Sequence, residues 1–153
     1  MRWGAIGGEA CSVARTVSVI GDRWTLLVLR DCFLGVRRFD AFQERIGVTR
    51  PILAARLKKL VAEGILDAVP YQQRPVRHEY RLTAKGRALH PVLMALVHWG
   101  DTHMAEGAGR PLLHRHKACG CDFDPVQVCS ECRAPVGARD VEVRPGPGAA
   151  PTP

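Results

Sequence analysis

The sequence contains no long hydrophobic run. No stretch approaches the ~20 consecutive apolar residues that a helix needs to cross a bilayer. The opening residues, Met1-Arg2-Trp3-Gly4, lead into no apolar core of a signal peptide. We therefore expect no membrane partner and a cytoplasmic location.

The sequence also lacks the common patterns of catalytic sites. It has no glycine-rich phosphate-binding loop and no paired-carboxylate signature. Histidines at 78, 90, 98 and 103 accompany no obvious nucleophile. We therefore predict that the chain is not an enzyme.

Composition and charge indicate a globular protein with a polyanionic partner. The chain has 153 residues, of which 46% are hydrophobic and 24% charged, which suits one ordinary domain with a small appendage. The net charge is +7. Residues 36–85 hold eleven basic and five acidic side chains, a balance of +6. A nucleic-acid face is therefore expected in this central segment.

The first half of the chain has the periodicity of four helices. Residues 11–20 form one apolar face, and Asp22 can cap a second helix, 23–33, whose apolar character predicts a buried central position. A short helix over 40–45 ends at a turn at Gly47. The next helix runs to about Glu63, with Thr49 accepting a backbone N–H at its start and Pro51 in its first turn.

A hairpin follows this helix pair. Residues 65–71 and 76–82 read as strands that flank a polar turn, and Arg74 and Arg77 lie near its tip. A short helix, a turn, a second helix with a basic outer face and then a basic hairpin are typical of a winged helix-turn-helix. The predicted fold is mainly α with a β-hairpin wing, and the predicted partner is double-stranded DNA.

The candidate DNA-binding residues divide by their expected contact. Base edges are assigned to residues early in the second helix of the pair: Thr49, Arg50, Pro51, Ala54 and Ala55. Phosphates are assigned to Lys58, Lys59, Arg74 and Arg77, while Arg56 is interpreted as structural. The alternative is a protein-interaction module whose basic face is merely solvated and whose cysteine-rich tail is a thiol redox switch.

The last apolar pattern predicts one long helix, capped by Thr83 and running to about Glu106. Its surplus apolar face, together with the first helix, predicts a homodimer. Packing of that face against its own domain is the alternative.

Several motifs resemble those of the HxlR-type regulators, winged-helix relatives of the MarR-type regulators. The resemblance covers residues 11 to about 105 and is carried by segments that include Gly21-Asp22-Arg23-Trp24, Arg56-Leu57-Lys58-Lys59-Leu60 and Thr83-Ala84-Lys85-Gly86. It implies a bacterial dimeric regulator, which we expect to be a repressor, that answers to oxidants or a small electrophilic inducer. It also implies Cys11 as the candidate sensor, near Arg15, although a small half-buried side chain is the alternative; Cys32 is expected in the core.

Four cysteines crowd into the C-terminal tail. His116-x2-Cys119 and Cys129-x2-Cys132 have the two-residue spacing of zinc ligand pairs. A subset of HxlR-like proteins has a similar tail, which favours His116, with Cys121 as the alternative fourth ligand. Four protein ligands would make the zinc structural. Unligated thiols and a disulfide switch are the other interpretations.

These patterns predict five segments. They are a leader (1–10), the DNA-binding and dimerisation domain (11–106), a linker (107–113), a zinc-ribbon-like tail (114–144) and a disordered Pro/Gly end (145–153).

Overall fold

The structure is a computed structural model that describes residues 7–8, 10–107 and 109–149. Parts of the predicted leader and of the predicted disordered end lie outside the described residues. The chain forms two compact units. The boundary between them in the sequence falls between His90 and Pro91. Across the described ranges, no helix combines the length and the hydropathy needed to cross a bilayer.

Three helices begin the first unit: α1 (Ser12–Ile20), α2 (Arg23–Phe33) and α3 (Phe39–Ile46). The predicted cap of α2 is confirmed, since Oδ1 of Asp22 accepts hydrogen bonds from the backbone N–H groups of Trp24 and Thr25, each at 3.1 Å. α3 ends at Gly47, whose φ of 71° is in the left-handed region that glycine tolerates best.

Helix α4 (Arg50–Ala62) follows the turn, as predicted for the second helix of the pair. Thr49 precedes it with extended backbone angles, but its side chain makes no capping hydrogen bond, so that part of the prediction is wrong. Pro51 sits in the first turn, where a missing N–H costs nothing because these amides have no partner within the helix.

The predicted wing is confirmed as a two-stranded antiparallel hairpin of β1 (Leu66–Gln73) and β2 (Val76–Leu82). Its register runs from Leu66 opposite Leu82 to Gln73 opposite Val76. An isolated bridge joins Arg38 to Glu79, and the Tyr80 N–H donates to the Arg37 carbonyl at 2.8 Å. The segment before α3 is thereby hydrogen-bonded to the wing.

The core lies where α2, α3, α4 and β1 meet, and α2 is buried as predicted. Its fully or nearly fully buried apolar side chains come from all four elements: Val28, Leu29, Phe42, Leu53, Leu57, Leu60 and Leu66. The buried Asp31 pairs with Arg30 at 2.9 Å and with Arg45 of α3 at 3.3 Å. This ion-pair cluster links α2 to α3.

The single long helix predicted after Thr83 is wrong. Thr83 does cap a helix, since its Oγ1 accepts from the Gly86 N–H at 3.0 Å, but that helix is the short α5 (Ala84–Arg87). The chain then breaks, and α6 (His90–His103) begins. Pro91 explains the break, because its ring clashes with the carbonyl four residues earlier and it offers no N–H. Position 86 requires glycine, because a Cβ there would collide with the Ile65 carbonyl oxygen.

The second unit contains most of α6 and the cysteine-rich tail. Arg110 forms a bidentate ion pair with Asp124, in which Nη1 lies 2.6 Å from Oδ1 and Nη2 lies 3.2 Å from Oδ2. This pair lowers the pKa of the Asp124 carboxyl. His98 of α6 lies 3.6 Å from the same carboxylate. The segment predicted as a linker is therefore tied to the tail.

Candidate nucleic-acid interface

Helix α4 buries one face and exposes the other. Leu53, Leu57 and Leu60 are at most 1% exposed and anchor the helix in the core. The opposite face carries predicted DNA-binding residues, and all of them are exposed: Pro51, Ala54, Ala55 and Lys58. Small side chains on this face allow the helix backbone to come close to the edges of bases in a major groove.

A second anchor comes from Arg56, which is structural as predicted. Its Nε lies 3.0 Å from Oδ1 of Asp22, the same oxygen that caps α2. One carboxylate thus fixes the start of α2 and the side of α4. The orientation of the candidate recognition helix is set by this pair as well as by its apolar face.

Lys59 does not lie on the exposed face where the sequence placed it. Its Nζ donates a 2.6 Å hydrogen bond to the carbonyl oxygen of Ser18 in α1, and the side chain is half-buried. A long lysine stem can cover apolar surface while its ammonium reaches a polar partner. We therefore remove Lys59 from the phosphate-binding set and assign it to the packing of α4 on α1.

Arg50, at the start of α4, is held by three neighbours. Its Nη1 donates to Oδ1 of Asp40 at 3.2 Å and to Oε1 of Gln43 at 3.1 Å. Its guanidinium carbon lies 4.7 Å from the ring centre of Phe39, a cation–π contact. Asp40 and Gln43 are not among the functional residues predicted from the sequence. Their i, i+3 spacing indicates that they share one face of α3, but no sequence pattern links that face to Arg50.

The wing presents its predicted arginines to solvent. Arg74 and Arg77 are both exposed, and the Arg74–Pro75 peptide bond at the tip is cis. Further down, Glu79 pairs with Arg81 at 3.0 Å and with Arg38 at 3.5 Å, and these arginines lower the pKa of its carboxyl. This network joins the base of the wing to the start of α3 and leaves the tip available for phosphates.

Comparison with known proteins identifies the family. The family model of the HxlR-like helix-turn-helix matches residues 19–108. The chain belongs to the HxlR-like helix-turn-helix family. An uncharacterized HTH-type transcriptional regulator of Mycobacterium tuberculosis (strain ATCC 25618 / H37Rv) is 45% identical over 140 residues, which cover 92% of this chain and 89% of that one.

Solved structures agree with this assignment. The crystal structure of PA1607, described as a candidate transcription factor, superposes with a TM-score of 0.79 and 40% identity over 88% of this chain and 94% of that chain. The reduced form of the redox regulator HypR gives a TM-score of 0.56 and 32% identity over 60% of this chain and 92% of that chain. The HxlR-like chain is therefore a transcriptional regulator with a helix-turn-helix DNA-binding fold and not an enzyme.

The two cysteines of the HxlR-like domain have different surroundings. Cys11 is exposed and precedes α1, where its Sγ accepts from the Ala14 N–H at 3.5 Å. Cys32 is half-buried in α2, and burial, reinforced by the nearby Asp31 carboxylate, raises the pKa of its thiol to about 12. A thiol that stays protonated is a poor nucleophile, so Cys32 is a packing residue.

The cysteine-rich tail contains two turns of the same construction. In the first, the Gly120 N–H donates to the His116 carbonyl at 2.8 Å; in the second, the Arg133 N–H donates to the Cys129 carbonyl at 3.0 Å. Isolated bridges close both turns, and Gly120 and Arg133 both have positive φ, 72° and 61°. The repeat aligns His116 with Cys129 and Cys119 with Cys132. It aligns Cys121 with Ala134, which has no ligand atom.

Each turn brings its predicted ligand pair together, but the two pairs are not joined. Nδ1 of His116 lies 3.3 Å from Sγ of Cys119, close to the ~3.5 Å separation of a nitrogen and a sulfur on one tetrahedral zinc ion. Backbone N–H groups of Cys132 and Glu131 and the Cys132 side chain lower the pKa of the Cys129 thiol. In the part of the tail that the structure describes, no three His, Cys, Asp or Glu side chains are gathered to hold a metal.

Proposed function

We propose that this HxlR-like protein is a sequence-specific repressor that binds double-stranded DNA as a homodimer. One observation carries the proposal: α4 exposes a face of small and basic side chains. Arg50 lies at the start of this helix, and the wing arginines belong to the same compact unit. Thr49, Arg50, Pro51, Ala54 and Ala55 read base edges in the major groove, while Lys58, Arg74 and Arg77 bind phosphates. A protein that acts on genomic DNA would work in the cytoplasm of a bacterium.

The homodimer is supported by α6. Val92, Leu96 and Trp99 follow one another at i, i+4 and i+7 and are 40%, 49% and 58% exposed. An apolar stripe of this kind on a helix is more stable when another surface covers it, and a second copy of the same chain is the partner that we propose. Two copies would place their recognition helices about one DNA turn, ~34 Å, apart.

Selection from a random duplex library tests the DNA-binding proposal. The wild-type chain should enrich a palindromic sequence whose half-sites are about 10 base pairs apart, and sedimentation should give two chains per duplex. Trp99→Ser should lower the dimer fraction, with Ala95→Ser, an exposed residue of the same helix, as the matched control. Enrichment of no sequence would contradict the proposal and favour a protein-interaction module.

The proposed signal is an electrophile or oxidant that reacts at Cys11. Its exposure supports this role, and HypR, a structurally similar protein, is described as a redox regulator in reduced and oxidized forms. With a quinone, the Cys11 sulfur forms a bond to ring carbon while the thiol proton passes to quinone oxygen. A quinone should release DNA from the wild-type chain and from Cys32→Ser but not from Cys11→Ser. Release from all three would contradict the assignment.

We also propose one structural zinc ion in the tail, held by His116, Cys119, Cys129 and Cys132. Because the two ligand pairs are not joined in the structure, binding of the ion would have to bring the two turns together. The repeated turns support this set, because Cys121 stands outside their pattern. Zinc would supply no catalysis here, since four protein ligands leave no open position. Elemental analysis should find one zinc per chain, and the cobalt-substituted chain should show charge-transfer absorbance from three thiolates. Cys121→Ser should keep both, whereas absorbance of four thiolates would make Cys121 the fourth ligand.

A further inference from the structure

Asp40 lies between the recognition helix and the wing. Its Oδ1 is 3.2 Å from Nη1 of Arg50, the first residue of α4, and its Oδ2 is 3.9 Å from Nη1 of Arg77 in β2. One carboxylate of α3 therefore faces a predicted base-reading arginine and a predicted phosphate-binding arginine. Asp40 is itself exposed, so this cluster lies on the surface that would face DNA.

The contacts of Arg50 leave one edge of its guanidinium available. Both hydrogen bonds, to Asp40 and to Gln43, are donated by Nη1, and the ring centre of Phe39 lies 4.7 Å from the guanidinium carbon. A guanidinium has five N–H donors, so the Nε and Nη2 edge retains three of them. In the residues that the structure describes, this edge has no hydrogen bond or ion pair. Parallel N–H groups on such an edge match O6 and N7 of guanine in the major groove.

We infer that Asp40 is a positioning residue for sequence recognition, which holds Arg50 so that its Nε–Nη2 edge meets a guanine and keeps Arg77 beside it. This inference rests on the proposed DNA-binding function. A side chain that is already ordered loses less conformational entropy on binding, which favours the correct base over alternatives. Without the carboxylate, the Arg50 guanidinium keeps only its contacts with Gln43 and Phe39 and turns more readily to the nearest phosphate, which carries no sequence information.

A positioning role of Asp40 and a simple effect of its negative charge predict different changes in DNA affinity. A carboxylate near DNA repels phosphates, so its neutralisation raises affinity for every duplex by the same factor. Loss of positioning instead lowers affinity for the selected duplex relative to other duplexes. Glu44 gives the matched control: it is exposed on the same helix and, within the described part of the chain, forms no ion pair.

The experiment compares Asp40→Ala with Glu44→Ala on two duplexes, the one that the wild-type chain selects from a random library and a scrambled duplex of equal composition. Alanine is used because asparagine would keep a side-chain oxygen that accepts from Arg50. We expect Asp40→Ala to lower the ratio of the two affinities about tenfold, at the lower end of what a bidentate arginine–guanine pair contributes. Glu44→Ala should leave the ratio unchanged. In an Arg50→Ala background, Asp40→Ala should have no further effect on the ratio.

Two results would overturn the inference alone: a ratio within twofold of wild type for Asp40→Ala, or an equal change with and without Arg50. A wild-type chain that selects no sequence would overturn both this inference and the proposed function. Equal melting temperatures for Asp40→Ala and Glu44→Ala would show that the two variants differ in DNA binding and not in folding.

Discussion

Two adjacent lysines of α4 should respond differently to substitution. Lys58 is exposed on the proposed DNA face, whereas Lys59 donates a 2.6 Å hydrogen bond to the Ser18 carbonyl in α1. We predict that Lys58→Ala weakens binding to every duplex, because it removes a phosphate contact. Lys59→Ala should leave the salt dependence unchanged and destabilise the fold.

The magnitudes follow from counterion release. One phosphate contact contributes about 0.9 to the slope of log affinity against log salt concentration. Its loss should make the fall in affinity between 50 and 200 mM salt about 3.5-fold smaller for Lys58→Ala than for wild type. Lys59→Ala loses a charged hydrogen bond, which costs about 1–2 kcal/mol of unfolding free energy, or a few degrees in Tm.

Fluorescence anisotropy of a labelled duplex at four salt concentrations measures the slopes, and circular dichroism at equal protein concentration measures Tm. An equal reduction in slope for both variants would return Lys59 to the DNA face. An unchanged slope for Lys58→Ala would remove Lys58 from it.

Three further predictions concern the scaffold. Arg45→Met removes the guanidinium 3.3 Å from the fully buried Asp31 and should lower the free energy of unfolding, measured in urea, by about 2–3 kcal/mol. Arg37→Met should change it by less than about 0.5 kcal/mol. Equal effects of the two substitutions would contradict the role of the ion pair. Asp22→Ala should lower the free energy of unfolding by about 1–2 kcal/mol because the cap of α2 is lost, and Asp22→Asn should lower it clearly less. The change in Tm measures both effects. Burial raises the pKa of Cys32 from 9.0 to about 12, so its stabilising contribution is complete below pH 9 and is lost as pH rises towards 12. Cys32→Ala should flatten that alkaline decline, and an unchanged pH profile would contradict the shift.

The helix-turn-helix was predictable because its signals are local. The capping Asp22 and the apolar pattern that follows it gave the bounds of α2 correctly, and alternation gave both strands of the wing to within two residues. The helix after Thr83 was overextended because its apolar pattern continues through Pro91. There the backbone constraint of proline outweighs side-chain periodicity.

The positions of candidate site residues could be predicted only where they depend on the face of a single helix, and not where they depend on contacts between helices. Lys58 and Lys59 are neighbours in sequence, and the pattern cannot tell which of them turns back to a carbonyl in α1. The pairing of Asp40 with Arg50 crosses a turn between two helices, so no periodicity indicates it. In the tail, the two-residue spacing predicted that His116 lies beside Cys119 and Cys129 beside Cys132, and the two turns bring these residues together. The spacing contains no information on how the two turns lie relative to each other, and the zinc site stays a prediction.

Reading of DNA sequence by the α4 face is measured by the affinities of wild type and Arg50→Ala for the selected and scrambled duplexes. Wild type should bind the selected duplex at least about 10³-fold more tightly at physiological salt. Arg50→Ala should lower that ratio about tenfold or more while binding to the scrambled duplex changes little. Equal affinities of wild type for both duplexes, or an unchanged ratio for Arg50→Ala, would show that this face of α4 does not read DNA sequence.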